Sequence, residues 1–192
     1  MDSDRKEILY LNRAKNELDL ANVVFRISTQ PKLKLDLELK EDSTFFSNVI
    51  SNSYYCIFYS AKAFLYIRGI ITTVPDEHRK TLEEFEKLAV SGEIDEELVK
   101  IYKNIVVKAD ELLGIFAKEK SKRGRFTYKM LPQANFGPAK ESLENAERFY
   151  KNINLIIKRR WNEVKSAYIM NMKDSVGNKL REVVLYTWSE GI

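Results

Sequence analysis

The chain has 192 residues, of which 44% are hydrophobic and 31% charged, with only 7 glycines and 4 prolines. This length fits one domain spanning 1–192, and the composition suits amphipathic helices rather than collagen, disordered or turn-rich all-β chains. The net charge is +4, with one cysteine and one histidine, which argues against a disulfide and a zinc site. We therefore expect a cytoplasmic protein with no bound metal or cofactor.

The start of the chain, Met1-Asp2-Ser3-Asp4, is acidic and leads into mixed charge. It lacks the basic region and apolar core of a signal peptide, so we expect no export signal.

Periodic apolar residues at three- and four-residue steps predict a first helix from about Arg5 to Ile27. Asp4 and Glu7 stand at the spacing of a capping pair at its start. An insert follows at about 28–43, in which leucines at 33, 35, 37 and 39 alternate with polar residues. The period of two predicts an extended segment near 32–40 with one apolar face, although Leu, Lys and Glu individually prefer helix.

A long apolar stretch predicts the second helix, capped by Asp42, Ser43 or Thr44 and running through Arg68 to a stop at Gly69. Apolar residues wrap most of its circumference, so it should be the central helix with others packed around it. Charged residues such as Lys62 interrupt the stretch, which favours a buried helix over a membrane span.

Three further helices are predicted, from Pro75 and Asp76 to Val90, from after Asp95 toward a basic segment, and from Pro138 onward. The core of the bundle should cover about 5–158, with a C-terminal extension at 159–192. A β-branched and aromatic run at Val183–Trp188 suggests a strand that pairs with the leucine-rich insert. The predicted fold class is all-α, an antiparallel up-and-down bundle of about five main helices.

The charge is concentrated in one short segment. Residues 118–129 contain six bases and one acid, a net charge of +5 that leaves −1 for the rest of the chain. Such a segment is an electrostatic footprint for a nucleotide or RNA. Its candidate phosphate-binding residues are Arg123, Arg125, Tyr128 and Lys129, because guanidinium forks match phosphate oxygens. A solvated basic loop is the alternative interpretation.

One helix carries a recognisable motif. Residues 53–65 read SYYCIFYSAKAFL, with a Tyr-Tyr pair, a Phe three residues after the second Tyr, then Ala-Lys-Ala and Leu. This motif resembles the central helix of the HEPN domain family. Further matches follow in order over about 11–158, at His78-Arg79-Lys80-Thr81, Phe85–Leu88, Arg123–Tyr128 and the apolar stripe Ala139–Phe149.

The resemblance implies an up-and-down helical bundle, often dimeric, that binds nucleotides or RNA. Many members work beside a nucleotidyltransferase as toxin and antitoxin, and some are metal-independent ribonucleases. The ribonuclease members carry an Arg followed four to six residues later by His, whereas the spacing from Arg123 ends here at Tyr128. The insert and the tail have no counterpart in the minimal domain.

Three function classes therefore stay open. The first is a nucleotide- or RNA-binding module with a nucleotidyltransferase partner. The second is a metal-independent ribonuclease toxin with a non-standard base. The third is a structural protein-interaction domain. Enzymatic activity is left undecided, because a tyrosine with a pKa of about 10 is a poor base at neutral pH.

Two further residues are candidates for the site. His78 could supply the missing base, or could cap a helix or simply be exposed. Lys62 could bind a phosphate, or could contact an acid such as Glu83 or Glu111. Tyr54, Tyr55 and Phe58 could stack on a base, although aromatics on such a helix more often belong to the core.

We also expect a homodimer. The tyrosine-rich central helix and the Leu33–Leu39 segment together offer more apolar surface than a small bundle readily covers. Cys56 is expected to be a small buried hydrophobe. The acidic pairs Glu83-Glu84 and Asp95–Glu97 are interpreted as solvated faces and first turns of helices rather than metal sites.

Overall fold

A computed structural model describes the backbone of residues 5–121 and 136–175 and the side chains of residues 5–109 and 136–164. The described chain forms helices α1 (Lys6–Thr29), α2 (Pro31–Asp36), α3 (Phe46–Ile67), α4 (Glu77–Val90), α5 (Glu96–Ser121) and α6 (Phe136–Ser175). No strand occurs in these two ranges, so the predicted all-α class is confirmed. None of the described helices is both long and apolar enough to cross a membrane.

The helix α3 is the centre of the bundle, as the sequence predicts. It packs against α1, α4, α5 and α6, and residues from Val49 to Leu65 on its inner faces are almost fully buried. The helices α1 and α3 are antiparallel, because Phe25 meets Phe46 at one end and Tyr10 meets Tyr66 at the other. An apolar surface around most of a helix is covered only when neighbours surround it.

Small residues let α1 and α6 approach α3 closely. Ala14 and Ala21 of α1 and Ala146 of α6 are all completely buried. Cys56 is buried in the same seam, with its Sγ 4.0 Å from the carbonyl oxygen of Ala146. Cys56 is fully buried, as predicted, and burial raises the pKa of its thiol far above the ordinary value.

A cluster of buried rings joins α3, α4, α5 and α6. Phe64, Phe85, Tyr102 and Phe149 each have no exposed surface, and Phe85 lies with its ring centroid 6.1, 5.9 and 5.4 Å from the other three. Tilted and edge-to-face pairs at these distances are favourable beyond the area that they bury. We call these four residues the core aromatic cluster.

The prediction of an extended insert was wrong. Residues 31–36 form the short helix α2, with Pro31 at a first-turn position where its missing N–H is not needed. Leu35 projects into solvent with 77% of its surface exposed, while the ammonium of Lys34 donates to the carbonyl oxygen of Glu41 at 2.6 Å. Helix propensity therefore prevails over the two-residue alternation. The proposed pairing with Val183–Trp188 loses its strand partner, and that run itself lies outside the described residues.

The C-terminal ends of α3 and α4 were predicted correctly from their glycines. Gly69 and Gly92 both have φ of +77°, the left-handed conformation that ends α3 and α4. The start of α3 differs, because the helix begins at Phe46 and no side chain of 42–44 caps it. The hydroxyl of Ser28 supports this start by accepting from the backbone N–H of Phe45 at 2.9 Å and donating to the carbonyl of Val24.

The helix α6 is longer than predicted at both ends. It begins at Phe136, two residues before Pro138, and continues without a break to Ser175. The first part of the C-terminal extension therefore prolongs the last helix. At the other end of the chain, α1 begins at Lys6 without a side-chain cap from Arg5, and Asp4 lies outside the described residues.

Candidate functional site

The structure brings two of the predicted site residues together. Lys62 lies on α3 and His78 lies in the first turn of α4, where both contact the same ring of Phe58. The four predicted residues of the basic segment, Arg123, Arg125, Tyr128 and Lys129, lie outside the described residues. The site that can be built from contacts is therefore the surface between α3, α4 and α1.

His78 sits in a stack of rings. Its Nδ1 is 2.6 Å from the Tyr54 hydroxyl oxygen, and its ring lies nearly parallel to Phe58 with the centroids 3.9 Å apart. The Tyr54 ring stacks beside it at 5.5 Å, and Tyr55 meets it edge-on at 6.0 Å. We call His78, Tyr54, Tyr55 and Phe58 the histidine cluster.

This cluster is closed on one side and open on the other. Phe58 has 3% of its surface exposed and Tyr55 has 39%, and His78 is exposed as a residue although Phe58 covers one of its faces. The covered face loses solvation, which lowers the pKa of His78 below 6.5; the charge of Glu77 raises it and that of Lys62 lowers it further. The imidazole is therefore mostly neutral at pH 7.

The orientation of the imidazole is fixed at one nitrogen. The Tyr54 hydroxyl either donates to Nδ1 or accepts from it, depending on the tautomer. The other nitrogen, Nε2, makes no hydrogen bond to any side chain that the structure describes. A neutral imidazole with one nitrogen held and the other available suits both hydrogen bonding to a ligand and proton transfer.

Lys62 is buried beside the cluster and has an acidic partner. Its ammonium pairs with the carboxylate of Glu77, and the two side chains are 9% and 26% exposed. It also donates to the carbonyl oxygen of Thr72 at 3.4 Å, and it lies 4.7 Å from the centroid of the Tyr10 ring. These contacts use the donors that a buried ammonium must satisfy.

The acid that contacts Lys62 was not one of those expected from the sequence. Glu83 pairs instead with Arg79 at 2.7 Å, and the side chain of Glu111 lies outside the described residues. A phosphate would have to displace Glu77 or a neighbouring contact before it could bind Lys62. The structural contact is therefore the role that the described geometry favours for this lysine.

Hydrogen bonds fix the connection between α3 and α4. The hydroxyls of Thr72 and Thr81 lie 2.7 Å apart, and the Thr81 hydroxyl donates to the carbonyl of Glu77. Both threonines are buried, so these bonds satisfy groups that would otherwise be costly to bury. They hold the first turn of α4, and with it His78, against α3.

A buried hydroxyl lies near the histidine cluster. The Tyr102 hydroxyl has no hydrogen-bond partner among the described residues. Burial raises the pKa of Tyr102 well above its ordinary value, and the neighbouring Tyr54 raises it further. Tyr102 therefore stays neutral and belongs to the core rather than to the exposed site.

A row of tyrosines continues from the cluster across α3 and α1. Tyr55 stacks on Tyr59 at 6.2 Å, Tyr59 stacks on Tyr10 at 6.4 Å, and Tyr10 meets Tyr66 edge-on at 6.5 Å. We call these four residues the tyrosine row. Sequence reasoning missed Tyr10, Tyr59 and Tyr66, although the spacing of 55, 59 and 66 by four and seven residues indicates one helix face.

The acidic pairs have the roles predicted for them. The Asp95 carboxylate accepts from the N–H of Glu97 at the start of α5 at 2.8 Å, and Lys87 pairs with Glu84 on the surface of α4. Within the described ranges, no group of three or more His, Cys, Asp or Glu side chains is arranged to hold a metal ion.

Comparison with known proteins gives no match: no family model, no curated protein and no solved structure aligns with this chain. The HEPN resemblance stays a prediction that rests on the sequence motifs.

Proposed function

We propose that this chain is a cytoplasmic nucleotide- or RNA-binding module whose base-binding surface is the histidine cluster. The observation that carries the proposal is the stack of His78 on Phe58 and Tyr54, open to solvent at Tyr55. The exposed members of the cluster, His78 and Tyr55, offer ring surface of the kind on which nucleobases stack, and each stacked base contributes about 1 to 3 kcal/mol.

The polar atoms of the cluster can form hydrogen bonds with the edge of a nucleobase. The neutral imidazole offers Nε2 as a donor or an acceptor, and the hydroxyl of the exposed residue Tyr55 can act as both. Because Tyr54 holds the ring through Nδ1, a ligand does not have to order the imidazole before it binds. Such pre-organisation favours affinity by lowering the entropic cost of binding.

The phosphate groups of the ligand are assigned to the basic segment. Its net charge of +5 over residues 118–129 supports this part of the proposal. If Arg123 and Arg125 contact phosphates of a single strand, each should contribute roughly 0.7 to the log-log dependence of affinity on salt. The Arg123→Ala/Arg125→Ala variant should then bind more weakly and with a smaller salt dependence.

Titration of the full chain with AMP and with a short RNA tests the proposal. The Tyr55→Ala/His78→Ala variant should lose at least tenfold in affinity, because two groups of the stacking surface are removed. Phe136→Ala is the matched control, since Phe136 is an exposed aromatic that packs with Phe25 and Phe46 instead. Equal binding by all three proteins would refute the proposal and favour the structural interaction domain.

A second function, metal-independent RNA cleavage, is favoured by the bond between Tyr54 and His78. A neutral imidazole held at Nδ1 has the form that a general base needs. His78→Gln should then abolish cleavage while RNA binding persists. Tyr128→Phe should also abolish cleavage if the Tyr128 hydroxyl takes part. No cleavage by the wild type would exclude this function.

The partner and the dimer remain part of the proposal. The nucleotidyltransferase partner is supported by the HEPN resemblance alone, and a reading frame beside this gene is the simplest test. The homodimer is supported by exposed leucines such as Leu35 and Leu37 on the insert. Light scattering that shows a monomer at micromolar concentration and above would refute the homodimer.

A further inference from the structure

The tyrosine row differs from an ordinary patch of partly buried rings. All four members are tyrosines, and they come from two helices whose faces meet. None is fully buried, whereas every ring of the core aromatic cluster is. Tyrosine combines a stacking face with a polar tip, which suits a surface that is covered by a ligand at one time and by water at another.

Unpaired positive charge lies along the same surface. The Arg13 guanidinium lies 5.7 Å from the centroid of the Tyr59 ring, and Arg13 is exposed with no acidic partner among the described residues. Arg68, Arg79 and Arg148 pair with acidic residues. What distinguishes Arg13 is its position beside the Tyr59 ring. A guanidinium held over a ring and free of a carboxylate is suited to contact a phosphate.

Two basic residues of α1 lie on the same helix face as Tyr10. Lys6, Tyr10 and Arg13 are spaced by four and three residues, which places them on one face of the helix. Lys6 is exposed and has no ion pair with a described residue. The next residue on this face, Glu17, is acidic. The cationic part of the surface is therefore limited to the N-terminal half of α1.

The buried Lys62 contacts the inner side of this surface. Its buried ammonium lies 4.7 Å from the Tyr10 ring and is itself held by Glu77. The same ion pair also lies beside the Phe58 ring of the histidine cluster. Tyr55 is a member of both the cluster and the row, so the two form one continuous aromatic surface.

We propose that this surface binds a single-stranded oligonucleotide, with several bases stacked along the tyrosine row and a backbone phosphate held by Arg13. The inference rests on the proposed function, since the histidine cluster would hold one of these bases. It adds that the ligand is a strand rather than a mononucleotide. The four rings lie 6.2 to 6.5 Å apart in sequence along the surface, and none is fully buried. Successive bases would stack against the parts of these rings that remain open to solvent, as on other single-strand platforms.

The test measures the affinity of the full chain for UMP and for fluorescent oligo(U) of two, four and eight nucleotides. Uridine stacks weakly on itself, so a gain in affinity with oligonucleotide length reports on contacts with the protein rather than on stacking within the ligand. We expect affinity to rise from UMP to the tetranucleotide by about fivefold or more for each added stacked base. An affinity that does not change with length would overturn the inference, even if UMP binds.

Two variants locate the strand. Arg13→Ala should reduce the salt dependence of tetranucleotide binding by about 0.7 in log-log slope, and Tyr59→Leu should weaken tetranucleotide binding about tenfold. Arg13→Ala should not change UMP binding, because the ring beside Arg13 is that of Tyr59, outside the histidine cluster. Tyr59→Leu should weaken UMP binding less than tetranucleotide binding, since Tyr59 also touches Tyr55 and Phe58 of that cluster. Arg26→Ala is the matched control, an exposed arginine near the C-terminal end of the same helix.

The outcomes separate this inference from the proposed function. Failure of both UMP and oligo(U) to bind would refute both. Binding of oligo(U) that is unaffected by Arg13→Ala and Tyr59→Leu would overturn the row as the strand site and leave the proposed function standing. Loss of a dimer in these variants, with oligo(U) binding intact, would identify the row as a contact between two copies of the chain. Unchanged circular dichroism of Arg13→Ala ensures that an effect does not arise from unfolding.

Discussion

Two groups of aromatic rings pack at similar distances but in different surroundings. The core aromatic cluster joins α3, α4, α5 and α6, and its rings have no exposed surface. The tyrosine row and the histidine cluster lie where α3 meets α1 and the first turn of α4. Apart from the buried Phe58, their rings are partly buried or exposed, and they have charged or polar neighbours. Ring spacing alone therefore does not distinguish a core from a binding surface.

The difference between the two groups lies in what their polar atoms contact. In the core cluster the one hydroxyl, that of Tyr102, has no partner among the described residues. In the histidine cluster the Tyr54 hydroxyl is bonded to His78, and Lys62 and Glu77 form an ion pair beside it. We interpret the core cluster as a source of stability and the open surface as a source of recognition.

The largest expected effect is on the stability of the core. Phe85→Ala should lower the free energy of unfolding by about 3 to 5 kcal/mol, because it removes the ring that contacts the three others and leaves a cavity. Tyr55→Ala should cost less than about 1 kcal/mol, since that side chain is already partly in water. Urea denaturation measures both. Equal losses would contradict the division between core and surface.

The next effect concerns the buried ion pair. Lys62→Met should cost about 2 kcal/mol, less than a fully buried pair would, because the remaining Glu77 carboxylate is still partly solvated. Lys62→Met/Glu77→Gln should recover much of this loss, since no uncompensated charge remains. Chemical denaturation gives the free energies of unfolding of the two variants, and these can be compared directly. If the double variant is the less stable one, the ion pair is not the source of the loss.

A smaller effect is expected at two tyrosine hydroxyls. Tyr102→Phe should be neutral or stabilise the protein by up to about 1 kcal/mol, because it removes a buried hydroxyl without a described partner. Tyr54→Phe should instead destabilise by about 1 kcal/mol, because it breaks the bond to His78. Thermal melts of both variants provide the comparison. A clear loss of stability in Tyr102→Phe would show that its hydroxyl has a partner.

The smallest effect is a dependence of stability on pH. The pKa of His78 lies below 6.5 in the folded chain, chiefly because one face is desolvated. At pH values between the folded pKa and 6.5, the unfolded chain binds more protons than the folded chain. The stabilising contribution of His78 to the free energy of unfolding is therefore fully present above pH 6.5. It is lost as the pH falls through the folded pKa. The difference in stability between the wild type and His78→Gln should therefore shrink from pH 7.5 to pH 5. A difference that grows on acidification would contradict the lowered pKa.

Much of the fold could be predicted from the sequence because its signals are local. The apolar wrapping of residues 45–65 indicates a central helix, and Gly69 and Gly92 mark helix ends through their conformational freedom. The insert was mispredicted because a six-residue helix offers too few turns for its period to be recognised. The exposure of Leu35 then depends on where α2 packs rather than on the alternation of the leucines.

The site was predictable only in part, for a different reason. From the sequence, Tyr54, Tyr55 and Phe58 were considered as stacking residues, with a core role favoured, and His78 was named as a candidate; the structure places the four rings in contact. The partner of Lys62 depends on the path of the connection between α3 and α4, which places Glu77 closer than Glu83. The contribution of Tyr10 and Arg13 depends on how α1 lies against α3. Such contacts between distant segments leave no periodic signal in one sequence.

The central claim, that the open aromatic surface binds nucleotides while the buried one stabilises the fold, can be tested most directly by NMR. His78 is the only histidine, so its imidazole Hε1 resonance needs no further assignment. On addition of the uridine tetranucleotide we predict a large shift of this resonance and of the Tyr55 and Tyr59 ring resonances, with little change at Phe85 and Phe149. Saturable binding that leaves His78 and both tyrosines unmoved would contradict the claim.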